Sequence, residues 1–261
     1  MLKQSLYRLC IELTNKKWSS FLLRRFVRSK VSRKLIPSFA KTYGINTEEM
    51  EKSIELYPSL HEFFIRRLKP GARTIQAGEA SVVSPVDGVM AETGVISNQL
   101  EVTVKGKLYS ILDMLGSDEK AAPFMGGSFA VFYLSPANYH RIHCPASGEV
   151  IGRWELGNHS YPVNELGLRY GKETLSKNYR SITELRHPGG RMAVVKVGAM
   201  FVNSVDYVVD RNEWIQGEEV AYFSFGSTVI LLFEKGRFSF DEDNTPREVR
   251  VGEHLGSFMS K

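Results

Sequence analysis

Fourteen consecutive residues, Val220 to Phe233, carry no charge, and a glycine–serine pair sits in the middle of them. Their content of Val, Tyr, Phe and Ile favours strands. Fourteen residues also fall short of the ~20 that cross a bilayer as a helix. The run therefore predicts buried β-structure, interrupted at Phe225-Gly226-Ser227-Thr228. Glycine inside a strand has no side chain to pack and marks a bulge, a bend or a close backbone approach. A plain bulge between two strands accounts for the pair unless other segments give Ser227 something to do.

A serine hydroxyl becomes a nucleophile when a base takes its proton, and the base needs a third group to orient it. The chain has six histidines: His61, His140, His143, His159, His187 and His254. Two share the segment Ser135-Pro136-Ala137-Asn138-Tyr139-His140-Arg141-Ile142-His143-Cys144-Pro145, which has turn signals at both ends. Three residues apart, His140 and His143 share a face on a helix and take opposite faces on a strand. They also fit two ordinary loop histidines. A metal site is not expected, because Cys10 and Cys144 are too few and too distant for a thiolate set and no His-Glu-x-x-His motif occurs. Asp87, in Ser84-Pro85-Val86-Asp87-Gly88, stands at a turn between apolar runs. It serves there either as a turn residue or as the acid of an Asp–His–Ser set. Cys144 follows His143 directly and on extended backbone points away from it, so it reads as a small buried thiol.

Together these segments resemble the pyruvoyl-dependent phosphatidylserine decarboxylases in their shorter bacterial form. The resemblance is carried by Phe63-Phe64-Ile65-Arg66-Arg67-Leu68-Lys69-Pro70-Gly71-Ala72-Arg73, Ser84-Pro85-Val86-Asp87-Gly88, Tyr139-His140-Arg141-Ile142-His143 and Gly226-Ser227-Thr228. Asn164 and the Val197-Gly198-Ala199 step fit as well, and the similarity runs from about Leu56 to Phe233. Phe225 stands where the family most often has leucine, a difference in packing beside an intact Gly-Ser pair.

The resemblance implies two reactions. In the first, His143, oriented by Asp87, takes the proton of Ser227 Oγ, which attacks the carbonyl carbon of Gly226. An N→O acyl shift and β-elimination then separate residues 1–226 from 227–261. The dehydroalanine left at residue 227 is hydrolysed by water with loss of ammonia, which makes that residue a covalent pyruvoyl cofactor. In the second, that group forms a Schiff base with the amine of phosphatidylserine and takes up electrons as CO2 departs. His140 is the implied general acid that protonates the α-carbon before phosphatidylethanolamine is released. A homodimer is implied too. His159 and Asn164 lie between β runs and are candidate contacts for the headgroup.

Charge places the chain at a membrane. Residues 1–41 hold eleven Lys/Arg against Glu12 alone, while the whole chain is only +5, so the basic character belongs to the N-terminus. Leu2, Leu6, Leu9 and Leu13 recur at helical spacing, and Trp18, Phe21, Leu22 and Phe26 continue a similar face among Lys16, Lys17, Arg24, Arg25 and Arg28. This describes a helix lying on an anionic membrane surface. Packing on its own domain and binding nucleic acid are the alternatives, and no nucleic-acid module is recognisable. Two distant cysteines and no secretory signal predict a reducing setting, hence a peripheral protein on the cytoplasmic face of the cell membrane.

The expected architecture is α+β: N-terminal amphipathic helices followed by a mainly antiparallel β-rich core. Residues 1–75 form the helical membrane-docking segment and 76–261 the catalytic domain. Helix is predicted over residues 1 to about 41 with a break near Pro37, over Asn46 to Tyr57 with Asn46 and Glu49 as a capping box, and from Ser59 toward Arg67. Arg66, Arg67 and Lys69 read as a solvated helix end, with contact to phosphate headgroups as the alternative. Strands are predicted at Leu100–Val104, Phe129–Leu134, Ala193–Val197 and Val205–Val209. Two rival functions use the same features: a Ser–His–Asp hydrolase acting on a membrane lipid or ester, and a noncatalytic lipid-binding protein.

Overall fold

The structure is a computed structural model and describes residues 22, 24–163, 173–199, 204–223, 227–241 and 245–259. The Leu2–Phe21 stripe, the Gly226 side of the proposed cut, Phe225 and Asn164 lie outside the described residues. The protein is α+β, with short helices and mainly antiparallel sheets, as expected.

The charge-free run divides between two sheets. Glu219–Phe223 is the middle strand of a three-stranded sheet, between Val205–Tyr207 and Arg141–His143. Ser227–Phe233 is a central strand of an eight-stranded antiparallel sheet, between Ser128–Leu134 and Gly190–Gly198. Both faces of that strand are covered. Val229, Leu231 and Phe233 pack into one apolar cluster with Val220 and Phe223, while Ile230 and Leu232 join a second with Ile182, Val195 and Val197. A strand buried on both sides needs no polar alternation, which is why no charge interrupts the sequence. Each such aliphatic side chain contributes roughly 1.5–3 kcal/mol by leaving water.

All four predicted strands are present, with Gly190–Gly198 longer than expected and Val205–Tyr207 shorter. The helical part differs more. A 3-10 turn over Lys30–Leu35 leads into an α-helix at Ile36–Tyr43, which Gly44 ends in the left-handed conformation (φ 63°). Pro37 sits in the first turn of that helix, where its missing N–H costs nothing; it starts the helix rather than breaking one. The helix expected over Asn46–Tyr57 does not form beyond a 3-10 turn at Ile54–Leu56. Glu49 does not close a capping box, because its carboxylate pairs with Arg73 at 2.9 Å. Its backbone is bound too, Lys69 N–H donating to Glu49 O and Glu51 N–H to Arg67 O. Tertiary pairing here outcompetes a weak local propensity. The helix after Ser59 forms as Leu60–Phe64, capped by Ser59 Oγ accepting from Glu62 N–H.

Candidate active site

The two histidines are placed by the ladder between Arg141–His143 and Glu219–Phe223. His143 lies opposite Glu219, Arg141 opposite Tyr222, and Phe223 N–H donates to His140 O at 3.1 Å. His140 is thereby tied to the strand that leads, four residues on, into Ser227. The turn before it is closed by Asn138, whose Oδ1 accepts from Ser135 N–H and Ser135 Oγ, both at 2.7 Å. On the other side, the backbone of Ser227 is held opposite Leu134 and Gly198.

His140 is fully buried, with its ring 4.0 Å from that of Phe64. Its Nδ1–H donates to Asn138 O at 2.9 Å, which leaves the lone pair on Nε2, and among the described residues no donor reaches it. Burial, with the nearby Arg66 charge, pushes its pKa down to about 3. The fold therefore contains the neutral imidazole. His143 occupies a different setting. Gly217 O accepts from its Nδ1–H at 2.7 Å, so Nε2 carries the lone pair and Tyr139 donates its hydroxyl proton there at 3.1 Å. Burial lowers its pKa as well, against the pull of the Gly217 carbonyl, Glu219 and Asp87.

Asp87 is buried and ends the turn begun at Ser84. The next residue must be glycine: a Cβ on Gly88 would stand 2.4 Å from Tyr133 O. Asp87 Oδ1 accepts from Val251 N–H and Arg73 Nε–H, both at 2.9 Å, and Oδ2 pairs with Arg73 Nη2. Glu49 shares the same guanidinium. No hydrogen bond joins Asp87 to His143 in this arrangement. Asp87 lines a cavity of about 420 Å³ and His143 a neighbouring one of about 260 Å³. Leu68, Arg73 and Tyr139 line both cavities. The orienting group that His143 has here is a backbone carbonyl.

A family model of phosphatidylserine decarboxylases matches residues 60–257. A phosphatidylserine decarboxylase proenzyme of Anoxybacillus flavithermus is 54% identical over 257 residues, covering 98% of this chain and 97% of that one. The proenzymes of Bacillus thuringiensis and Bacillus cereus are 51% identical over 260 residues, with 99% of each chain covered. The chain belongs to the phosphatidylserine decarboxylase family.

Within this family member, sequence reasoning passed over three residues that surround the histidines: Tyr139, Arg73 and Gly217. Tyr139 stood inside a quoted motif and Arg73 at the end of another, but a side chain that bonds to a candidate base leaves no mark in spacing. His159 is half-buried, stacks on Tyr161 at 5.2 Å and bridges Asn178 through its backbone. Asn178 in turn donates to Gly198 O at 2.8 Å, beside the Ser227 backbone. His159 lines neither cavity described above. Cys144 is fully buried, donates to Ala146 O, and burial raises its pKa to about 12; it is the inert thiol expected. Among the described residues no group of His, Cys, Asp and Glu is arranged to hold a metal.

Neutral burial of histidine has a consequence for stability. The unfolded chain binds protons on His140 below pH 6.5, and the folded chain does not until about pH 3. Stability is therefore fully present above pH 6.5 and falls with pH below it, by about 1.4 kcal/mol per unit through His140. Urea midpoints at pH 7, 5.5 and 4.5 are expected to decrease in that order; a flat series contradicts the burial of a neutral imidazole.

Proposed function

We propose that this chain is a self-processing, pyruvoyl-dependent decarboxylase that converts phosphatidylserine to phosphatidylethanolamine and CO2 in phospholipid biosynthesis. The observation that carries the reading is the full-length identity to proenzymes, together with a pair of histidines held neutral at the strand that pairs with Glu219–Phe223. The hydrolase and the noncatalytic lipid-binding readings account for the serine and the basic N-terminus, but neither accounts for that kinship.

In self-cleavage His143 is the base. Burial keeps the ring uncharged at neutral pH, so Nε2 can accept a proton, directly once Tyr139 releases it or through the Tyr139 hydroxyl that donates to it. Ser227 Oγ attacks the Gly226 carbonyl as its proton passes to His143, and the chain parts after the acyl shift. Asp87 contributes buried negative charge near the imidazolium that forms. A pyruvoyl group at 227 would have Gly198 opposite it in the ladder, and His140, tied through its backbone to Phe223, has an Nε2 with no partner among the described residues. Formed from Ser227, that group would supply the carbonyl that accepts electrons as CO2 is lost. His140 begins neutral, with Nδ1–H held by Asn138 O. It must therefore take a proton, from the substrate ammonium, before it can give one to the α-carbon.

His140→Ala is expected to leave self-cleavage within about tenfold of wild type while lowering turnover by 10²–10⁴-fold, the usual worth of a general acid–base group. Intact mass and product formation are read on the same sample. Loss of both together assigns His140 to the cleavage instead. The decarboxylase reading is tested by the release of CO2 from carboxyl-labelled phosphatidylserine. A cleaved protein that releases none ends it.

Docking on the cytoplasmic face of an anionic membrane belongs to the same proposal. Leu22, Phe26, Val31 and Leu35 are exposed among Arg24, Arg25, Arg28, Lys30, Arg33 and Lys34. Among the described residues no helix is long and apolar enough to cross a membrane. Basic residues near an anionic surface contribute about 1 kcal/mol each and are screened by salt. Sedimentation with vesicles containing phosphatidylglycerol should be strong at low salt and at least tenfold weaker in 0.5 M salt or with Arg24, Arg25 and Arg28 all changed to Glu. Salt-independent, charge-reversal-independent binding rejects this face.

A further inference from the structure

Arg66 does not behave as the solvated helix end that its sequence position predicts. It is 4% exposed, whereas Arg67 and Lys69 remain in solvent as expected. Arg66 Nη2 donates to Ala137 O at 2.8 Å and to Asn138 O at 3.0 Å, and the guanidinium lies 5.6 Å from the Phe63 ring centre. Two nearby arginines are neutralised, Arg73 by Asp87 and Glu49 and Arg141 by Glu219. Among the described residues Arg66 has no carboxylate within ion-pair distance, and its Nε and Nη1 groups have neither an acceptor nor solvent. Burial accordingly draws its pKa down to about 10. A buried cation with idle donors is costly, and two carbonyls and one ring face compensate it only in part.

Arg66 is held beside His140. Asn138 O receives both Arg66 Nη2 and His140 Nδ1, so one carbonyl holds the guanidinium and the imidazole next to each other. His140 Nε2 is unpartnered among the described residues. Arg66 also lines the cavity of about 420 Å³ that Asp87, Ser135, Asn138 and Tyr139 line. A guanidinium with no carboxylate partner at a cavity wall is complementary to an anionic oxygen.

The geometry points to Arg66 as an anion-binding residue at the wall of the cavity it shares with Asp87 and Tyr139, holding an anionic oxygen of the phospholipid headgroup. This rests on the decarboxylase reading above. The headgroup has two anionic groups, the phosphodiester and the carboxylate. Arg66 recognises either by the same charge-assisted hydrogen bonds.

The test is calorimetric titration of two soluble headgroup fragments, glycerophosphoserine and glycerophosphoethanolamine, into fully cleaved wild type, Arg66→Lys and Arg66→Gln, with KM and kcat on short-chain phosphatidylserine beside it. Both fragments carry the amine and the phosphodiester; only the first carries a carboxylate. Arg66→Gln should weaken binding at least tenfold and raise KM in proportion, with Arg66→Lys intermediate. Weakening of both fragments assigns the phosphodiester, and weakening of glycerophosphoserine alone assigns the carboxylate. Unchanged Kd for both fragments overturns the proposal, even if kcat drops, because that is the signature of an arginine that only pins the 137–138 turn. If Arg66→Gln does not fold or cleave, Arg66→Lys decides by the same Kd criterion, at threefold or more. A wild type that binds fragments but releases no CO2 defeats the decarboxylase reading and not this site. An active wild type with indifferent Arg66 variants defeats this site alone.

Discussion

Ser227→Ala is expected to leave one uncut chain of 261 residues with no decarboxylase activity above background. The expectation follows from the chemistry rather than from packing. Without Oγ there is no acyl shift, and without the shift residue 227 never acquires a ketone, so both reactions fail at once. Replacing serine by alanine changes little else, because the strand from 227 onward is fixed by its ladder to Leu134–Phe129 and Gly198–Met192. Denaturing intact mass spectrometry checks it directly. Wild type should appear as residues 1–226 and 227–261, the shorter chain beginning with pyruvoyl, and the variant as a single species. The activity loss should exceed about a thousandfold, as removal of a nucleophile does in enzymes whose groups act as a unit. A wild-type chain that stays whole after exposure to phosphatidylserine vesicles, yet reacts with serine-directed phosphonates, transfers the case to the hydrolase alternative.

His143→Ala should be nearly as severe, but for cleavage alone. Removing the base is expected to slow self-cleavage by 10²–10⁴-fold, so uncut precursor accumulates. Chain that does cut should still turn over substrate within about tenfold of wild type, since His140 remains. Tyr139→Phe separates two uses of the hydroxyl that donates to His143 Nε2. If the phenol relays the Ser227 proton, the variant cuts at least tenfold more slowly. If the phenol only occupies the lone pair, it cuts as fast as wild type or faster. The pH profile has a fixed sign as well. Burial depresses the His143 pKa, so the base stays uncharged below pH 6.5 and the wild-type cleavage rate should hold its plateau past that point before falling. A fall centred at or above 6.5 contradicts a buried base. A His143→Ala chain that matures at the normal rate removes His143 from the mechanism.

Most of the architecture was legible because it rests on local patterning. The charge-free Val220–Phe233 run could be satisfied only by burial, and its described parts, up to Phe223 and from Ser227, are strands of different sheets. The helix cap at Ser59 is similarly local. Asn46–Tyr57 misleads because its capping signal is real but weak, and a carboxylate that can reach Arg73 bonds there instead of to its own backbone. Arg66 misleads for the reverse reason. A helix-end arginine is ordinarily solvated, and only the packing of the Ala137–Asn138 turn over it takes the water away.

The candidate site divides in the same way. The residue types that the chemistry needs, a Gly-Ser step, two histidines three apart and an aspartate in a tight turn, were fixed by the sequence because each requires its own local backbone. Their partners were not. That Asp87 binds Arg73, that His143 is held between Gly217 O and Tyr139, and that His140 and Arg66 share one carbonyl are contacts between segments up to 74 residues apart. Hydrogen bonds depend on distance and angle in space, and no spacing along a chain encodes which of several acceptors a buried donor will meet.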